Sequence, residues 1–515
     1  MRSKTKSSDK DYFNRNKWMY SIGGIGRDMC YALFTNFLLT YILFTRNVTD
    51  KQFAAIGTVL IVCRLWDGLN DPIMGGVVEN TRTRFGKFKP WIMIGAVTNA
   101  ACVVAMFSNR LQGQAFILLF IALYLLWDIT YTMNDIGYWS MMPSLTSRAD
   151  RRDKIVALAN LFSGLGNLAA IGLVPMFTAG KNAIGGNSIT AYAAVSCFCA
   201  GMFILCQALT CVGVKENGAK AEKEERIGLK KMFSVIVKND QLLWASLLTL
   251  LSHLSGIMLT AFAAYYIYLT FGYNGTYVTV FTAFYAGAAG ILLMIFPVLS
   301  RRFVRKTALR TALAVAVAGY AGFIVGSTLI PEGIRLPFLC ACALITGFGQ
   351  NWFAMVVMVI FTNTIEYNEY KTGSRDEALI FSLRPFMNKM SSALQQLVVT
   401  VVYLAIGITG VTNKIAELEQ QANLAASAAR AQAPADLDSV LASIEAEKME
   451  GITAAIASAP AATSLKLSLC MAIIPIALLT CAYIILARKN KIDEAEYERM
   501  LAEIEKRKAA KAENE

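Results

Sequence analysis

The sequence predicts an all-α integral membrane protein of twelve transmembrane helices in two six-helix halves, and three observations predict it. The first is composition: 56% of the 515 residues are hydrophobic, only 17% are charged, and the mean hydropathy is +0.47. A soluble domain is nearer one quarter charged. The second is the spacing of apolar runs of roughly 20 residues, enough to cross a bilayer as a helix. They fall near 20–44, 53–79, 91–107, 115–143, 155–177 and 189–213, and again near 241–271, 278–299, 308–330, 336–364, 378–410 and 464–487. The third is charge: alternate loops are basic, carrying Arg82, Arg84, Lys87 and Lys89, then Arg148, Arg151, Arg152 and Lys154, then Lys215 through Lys238, then Arg301, Arg302, Arg305 and Lys306. The other loops hold little more than Arg46, Lys51, Arg110, Lys181 and Arg335. The positive-inside rule then puts both termini in the cytoplasm and requires an even number of spans.

The organisation expected is an N-terminal half over 1–213, a cytoplasmic loop over 214–240 and a C-terminal half over 241–488, followed by a cytoplasmic tail over 489–515. An Ala- and Glu-rich stretch, 412–462, is broken near Pro434 and reads as a helical hairpin on the outer side. The tail places Tyr497, Leu501 and Ile504 at helical spacing, as an amphipathic helix does. The first sixteen residues are polar and contain no apolar core of a cleavable signal. The net charge of +13 reflects the basic loops rather than nucleic-acid binding. Eleven cysteines without metal-ligand spacing read as small core residues, and a single histidine, His253, argues against a histidine metal site. No nucleophile–base constellation points to an enzyme.

Ionisable side chains cost about 2.5–3.5 kcal/mol each at the centre of a membrane helix, so those present are expected to face a cavity or a partner. In the first span, "GGIGRDMCY" carries Arg27 beside Asp28, a pair in which one charge can neutralise the other. Asp28 shares a polar stripe with Gly24, Tyr31 and Thr35. In the second, "RLWDGLNDPIMGG" stacks Asp67 and Asp71 one turn apart. With Asn70, and Thr132 from the fourth span, they offer an all-oxygen shell for a small hard cation, Na⁺, with H⁺ left open. Arg64, three residues before Asp67, is positioned to pair with it. In the fourth, Asp128, Thr132, Asp135 and Trp139 lie on one face. An acid that accepts hydroxyl hydrogen bonds, one turn from an indole that packs on a pyranose, makes a sugar site. In the eleventh, Pro385, Lys389, Ser392 and Gln396 align; Lys389 has no acid one turn away, so Asp28 and Asp135 are its expected partners, bridging the halves.

Three stretches, "RLWDGLNDPIMGGVVENTRTRFGKFKPW", "YTMNDIGYWSMMP" and "NTIEYNEYKTGSRDEALIFSLRPFMNKM", resemble the glycoside–pentoside–hexuronide:cation symporters of the major facilitator superfamily, the melibiose permease group. The likeness covers nearly all of 17–410 and the last span. It implies symport of a sugar with a cation by alternating access, without a cofactor, in a monomer set in the lipid of a bacterial inner membrane. It carries the cation site onto Asp67, Asn70, Asp71 and Thr132, and the sugar site onto Asp28, Tyr131, Asp135, Trp139 and Lys389. The basic loop with Arg84 and Lys87, together with Arg64, Glu366, Glu369 and Glu377, resembles gating elements that pair and break. The chain departs from the pattern at Asp128, a glycine in the group's type member, which adds a third acid near the cation site. It departs again at Arg384, which can grip a carboxylate bidentately and so leaves a hexuronide open. The alternatives are a sodium-coupled lysolipid transporter, which needs a long apolar cleft, and a non-transporting sugar receptor with the hairpin as sensor.

Overall fold

The computed structural model describes residues 2–146, 148–215, 239–374, 376–432, 434 and 436–513; most of the central basic loop expected at 214–240 lies outside the described residues. The described residues are helical almost throughout, and their only β feature is a single bridge between Thr83 and Gly86. In chain order the helices are α1 (Arg2–Thr45), α2 (Asp50–Asn80), α3 (Lys89–Ser108), α4 (Gly113–Met141), α5 (Ala149–Thr178), α6 (Ser188–Gly213), α7 (Asp240–Phe271) and α8 (Gly275–Arg302). Then follow α9 (Arg305–Thr328), α10 (Glu332–Thr372), α11 (Glu377–Ile406), α12 (Thr409–Gln432), α13 (Leu437–Ala457), α14 (Ala461–Lys489) and α15 (Glu494–Glu513). Among the described residues, eleven helices are long and apolar enough to span a membrane, and α2 is the twelfth if its two bent segments count as one span. This is a multi-pass membrane protein.

The segments of α2, Asp50–Gly68 and Ile73–Asn80, meet at 47°. The cause is legible in the sequence. Pro72 has no N–H to give the Gly68 carbonyl, so one rung of the helix is missing where Asn70 and Asp71 sit. The start of the helix is fixed by a capping box: the Thr49 hydroxyl accepts from Gln52 N, and the Gln52 side chain accepts from Thr49 N. At its far end the long α10 is closed by Gly373 at φ 74°, in the left-handed region that glycine enters without strain.

The chain divides into two compact units. Unit 1 comprises Met1–Glu224, Ile267–Thr279 and Tyr403–Pro460; unit 2 comprises Glu225–Tyr266, Val280–Val402 and Ala461–Glu515. Within unit 1, α1 packs along α5 and α6, while α3 runs against α4 and α6. The glycines of "GGIG" allow this closeness: a Cβ on Gly26 would strike the Met202 backbone, and one on Gly166 of α5 would strike Ile25. Polar pins fix α4 on α3. Asn99 donates to Trp127 O (2.9 Å) and Thr130 Oγ1 (3.1 Å), and Asn134 donates to Ile92 O (2.7 Å). Within unit 2, α9 packs against α10 and α14, and α10 also carries α15.

The 412–462 stretch does form a hairpin, α12 and α13, with Pro434 in the turn between them. Sequence order puts it in the C-terminal half, yet its contacts place it in unit 1. The tail helix forms too, but its buried face carries Met500 and Ile504, while Leu501 is exposed. The expected stripe was rotated because helical spacing allows either 500 or 501 between 497 and 504, and packing on α10 selects the first.

Candidate functional site

The polar residues of unit 1 converge on Arg27. Its guanidinium is 3% exposed, against 20% for Asp28 and 33% for Asp135. Nε donates to Asp28 Oδ1 (2.7 Å), Nη1 lies 3.0 Å from Asp135 Oδ1, and Nη2 donates to Ser163 Oγ (3.4 Å). The guanidinium carbon sits 4.6 Å from the ring centre of Tyr138 and 5.1 Å from that of Trp139, both within cation–π range. One buried cation thus orients two carboxylates that keep part of their surface open, beside an indole.

The frame around Arg27 is stiff. Tyr20 and Tyr138 stack at 4.2 Å, and each hydroxyl donates to the other residue's carbonyl, at 3.0 and 2.7 Å, which locks α1 to α4. Gly24 lets Ser163 of α5 approach, since a Cβ there would strike its hydroxyl. Within unit 1 the cation beside Asp28 and Asp135 is Arg27. In the sequence only its pairing with the adjacent Asp28 is legible, because the reach from α1 to α4 follows from packing. The glycines flanking Arg27 were the available signal.

Along the same helices lies an aromatic wall. Tyr31 stacks on Tyr131 (4.6 Å) and Trp127 (5.9 Å), and Trp127 on Phe34 (4.0 Å). Beyond it Arg64 donates to the Tyr31 hydroxyl (3.4 Å) and interacts electrostatically with Tyr124 and Asp67. Arg64 therefore lies mid-helix, in the wall of this region.

Of the cation set, Asp67 and Asp71 are half-buried, while Asn70 and Thr132 are buried. The Asn70 Nδ2 makes no hydrogen bond among the described residues. Asn70 and Asp71 sit in the break of α2, between its two segments. Asp128 is buried, with electrostatic links to Cys63 and Tyr124. Among the described residues no three of His, Cys, Asp and Glu group as metal ligands.

In unit 2, Lys389 is half-buried and Arg384 exposed, both on α11. His253 of α7 interacts electrostatically with Arg384, a neighbour the sequence did not suggest. Glu366 and Glu369 lie near the end of α10, and Glu377 begins α11. Glu369 takes Lys508 of the tail helix as an ion-pair partner (2.7 Å), and Arg507 donates to Tyr370 O (2.9 Å). The loop residues Arg84 and Lys87 lie over the rings of their neighbours Phe85 (4.7 Å) and Phe88 (5.1 Å).

Comparison with known proteins follows the same lines. The family described as "MFS/sugar transport protein" matches residues 19–477. A lactose permease of Lactobacillus helveticus is 30% identical over 413 residues, which cover 76% of this chain and 62% of the relative. A raffinose carrier protein of Pediococcus pentosaceus is 27% identical over 416 residues, covering 76% and 63% respectively. The chain thus spans somewhat under two thirds of the length of these relatives. Among solved structures, a bacterial homologue of the human lysosomal transporter Spinster superposes with a TM-score of 0.55 at 12% identity, covering 94% of this chain and 98% of that one. At that identity the likeness speaks for the fold.

Proposed function

The chain belongs to the MFS/sugar transport protein family, whose members are membrane transporters rather than enzymes, and from that premise we propose that it is a symporter that carries a sugar together with a cation by alternating access. The observation that carries this reading is the Arg27 cluster: a buried cation fixing two half-open carboxylates beside Trp139. Asp135 and Asp28 accept hydroxyl hydrogen bonds from the sugar, charge-assisted and therefore stronger than neutral ones. Trp139 packs on the apolar face of the ring, and Tyr131 lines the wall. Arg27 holds both acids in register, so little side-chain entropy is lost when the sugar arrives. The names of the lactose and raffinose carriers support a sugar as cargo.

Asp67, Asp71, Asn70 and Thr132 are the proposed ligands of the coupling ion, Na⁺ in the first instance. The ion relieves repulsion between two carboxylates one turn apart and ties the bent α2 to α4, the helix that carries Asp135. Binding is then reciprocal: sugar tightens the cation by the factor that cation tightens sugar. Lys389 and Arg384 are the proposed sugar contacts from α11, with Arg384 selecting a hexuronide. By the positive-inside rule both termini lie in the cytoplasm, and a bacterial inner membrane is the proposed setting for a monomer.

The test is a panel of radiolabelled galactosides, pentosides and glucuronides, taken up by proteoliposomes under Na⁺ or H⁺ gradients. Accumulation driven by one gradient is expected. Sugar affinity that is identical with and without Na⁺ or Li⁺, and flat with pH, would sink the coupling scheme.

A further inference from the structure

The hairpin α12–α13 takes no part in the site above. In sequence it lies between α11 and α14, which belong to unit 2, yet residues 403–460 belong to unit 1. The chain therefore crosses from one unit to the other at 402/403 and returns at 460/461.

Its attachment to unit 1 is polar and specific. Asn413 reads both groups of the Val48 backbone, accepting from N and donating to O at 3.0 Å each. Gln420 donates to Thr45 O (3.0 Å), the Thr409 hydroxyl to Asp50 (2.6 Å), and the Thr190 hydroxyl to Asn423 Oδ1 (3.1 Å). Beneath these lies a closed ionic clasp. Glu419 accepts from Ser188 N (2.8 Å) and Ser188 Oγ (3.1 Å), with Lys448 Nζ 3.7 Å away; Lys448 in turn donates to Gly186 O (2.7 Å). Their side chains are 0% and 1% exposed. A hairpin held this way lifts off the rest of unit 1 only by breaking the charge-assisted hydrogen bonds that buried Glu419 and Lys448 make to Ser188 and Gly186, which is costly.

Both junctions, by contrast, are breaks between helices. Gly407, at φ 73°, separates α11 from α12, and Pro460 separates α13 from α14. Each lies within five residues of a unit border.

We infer that the hairpin is a strap: it stays clasped to unit 1 through the conformational cycle, and hinges at Gly407 and Pro460 absorb any movement of the units, limiting how far they separate. The consequence for transport rests on the alternating-access reading, but the test needs neither sugar nor cation and remains readable if that reading fails. Spin-label pairs are placed in the full chain, with accessible native cysteines replaced. Labels at Asp438→Cys on the hairpin and Arg110→Cys on unit 1 are expected to give one narrow distance; a second, longer population would mean that the hairpin unclips, and overturns the inference. Labels at Arg110→Cys and Glu332→Cys report on the two units. Inserts of about six Gly/Ser residues beside Gly407 and Pro460, each with a reach of roughly 13 Å, are expected to broaden that distribution by several ångströms toward longer values. An unchanged distribution shows that the strap restrains nothing and overturns the inference as well.

Discussion

Two buried ionic clusters of unit 1, one around Arg27 and one joining Glu419 to Lys448, differ in one respect. Around Arg27 the cation is buried and the acids keep 20% and 33% of their surface open. Under the hairpin both partners are closed off, Glu419 at 0% and Lys448 at 1%. The first arrangement spends desolvation on the positioning charge and leaves acceptors for a visitor. The second leaves nothing for a ligand and only holds elements together. Openness of the acids, rather than presence of the ion pair, separates the proposed sugar site from the proposed clasp.

The contrast breaks first at the closed cluster. Glu419→Ala leaves Lys448 buried without its acid and is expected to destabilise hairpin docking by about 3–5 kcal/mol, read as lost amide protection in α12 and α13. The paired change Glu419→Leu with Lys448→Met should restore most of it. Equal loss in the single and double variants contradicts the clasp. At the open cluster the expectation reverses. Asp135→Asn should leave protection of α4 unchanged while sugar affinity falls on the order of 100-fold, since hydrogen bonds to a charged acceptor are worth about 1.5–3 kcal/mol each.

Asp71→Asn sharpens the comparison from outside both clusters. It should abolish the dependence of sugar affinity on the cation, a coupling of roughly 5- to 150-fold, while affinity in its absence stays put. Calorimetric titration of the sugar with and without Na⁺ decides this. Arg27→Lys keeps the charge but cannot fork between two carboxylates. Loss of one charge-assisted contact, about 1.5 kcal/mol or roughly tenfold in sugar affinity, is expected.

The smallest effect is one of pH. Burial pushes the Glu419 carboxyl above its ordinary 4.5, outweighing the pull of Lys448 and the Ser188 donors; the Tyr273 hydroxyl is the other titratable neighbour. A carboxyl raised in the folded state binds its proton more tightly there than in the released hairpin. Its contribution to docking is therefore full below pH 4.5 and is lost as pH rises through the folded value. Hairpin protection should be greater at the acidic end, and Glu419→Gln should flatten the dependence.

Much of this was legible before any coordinates. Periodic apolar runs and loop charges place the spans, because a bilayer demands a similar apolar length of every crossing helix, although α1 and α10 run well past the apolar stretches that mark them. Pro72 announced the bend in α2. The stripe Asp128, Thr132, Asp135 and Trp139 follows from helical geometry alone. Less legible were the partners. Arg27 reaches Asp135 across more than a hundred residues of sequence, and Ser163 joins them only because Gly24 leaves room. The tail helix was foreseen, whereas its pairing of Lys508 with Glu369 was not.

What the sequence determined by itself is the set of helices, the family, and the polar residues that membrane burial makes too costly to be incidental. What the tertiary structure decided is which charge faces which: Arg27 as the common cation of two acids, and a hairpin that belongs to the unit it is not threaded through. The physical reason is range. Hydrophobic periodicity is local and repeats within a turn or two, whereas an ion pair in a low-dielectric interior is chosen by packing between helices far apart in the chain, and no spacing along one helix encodes it.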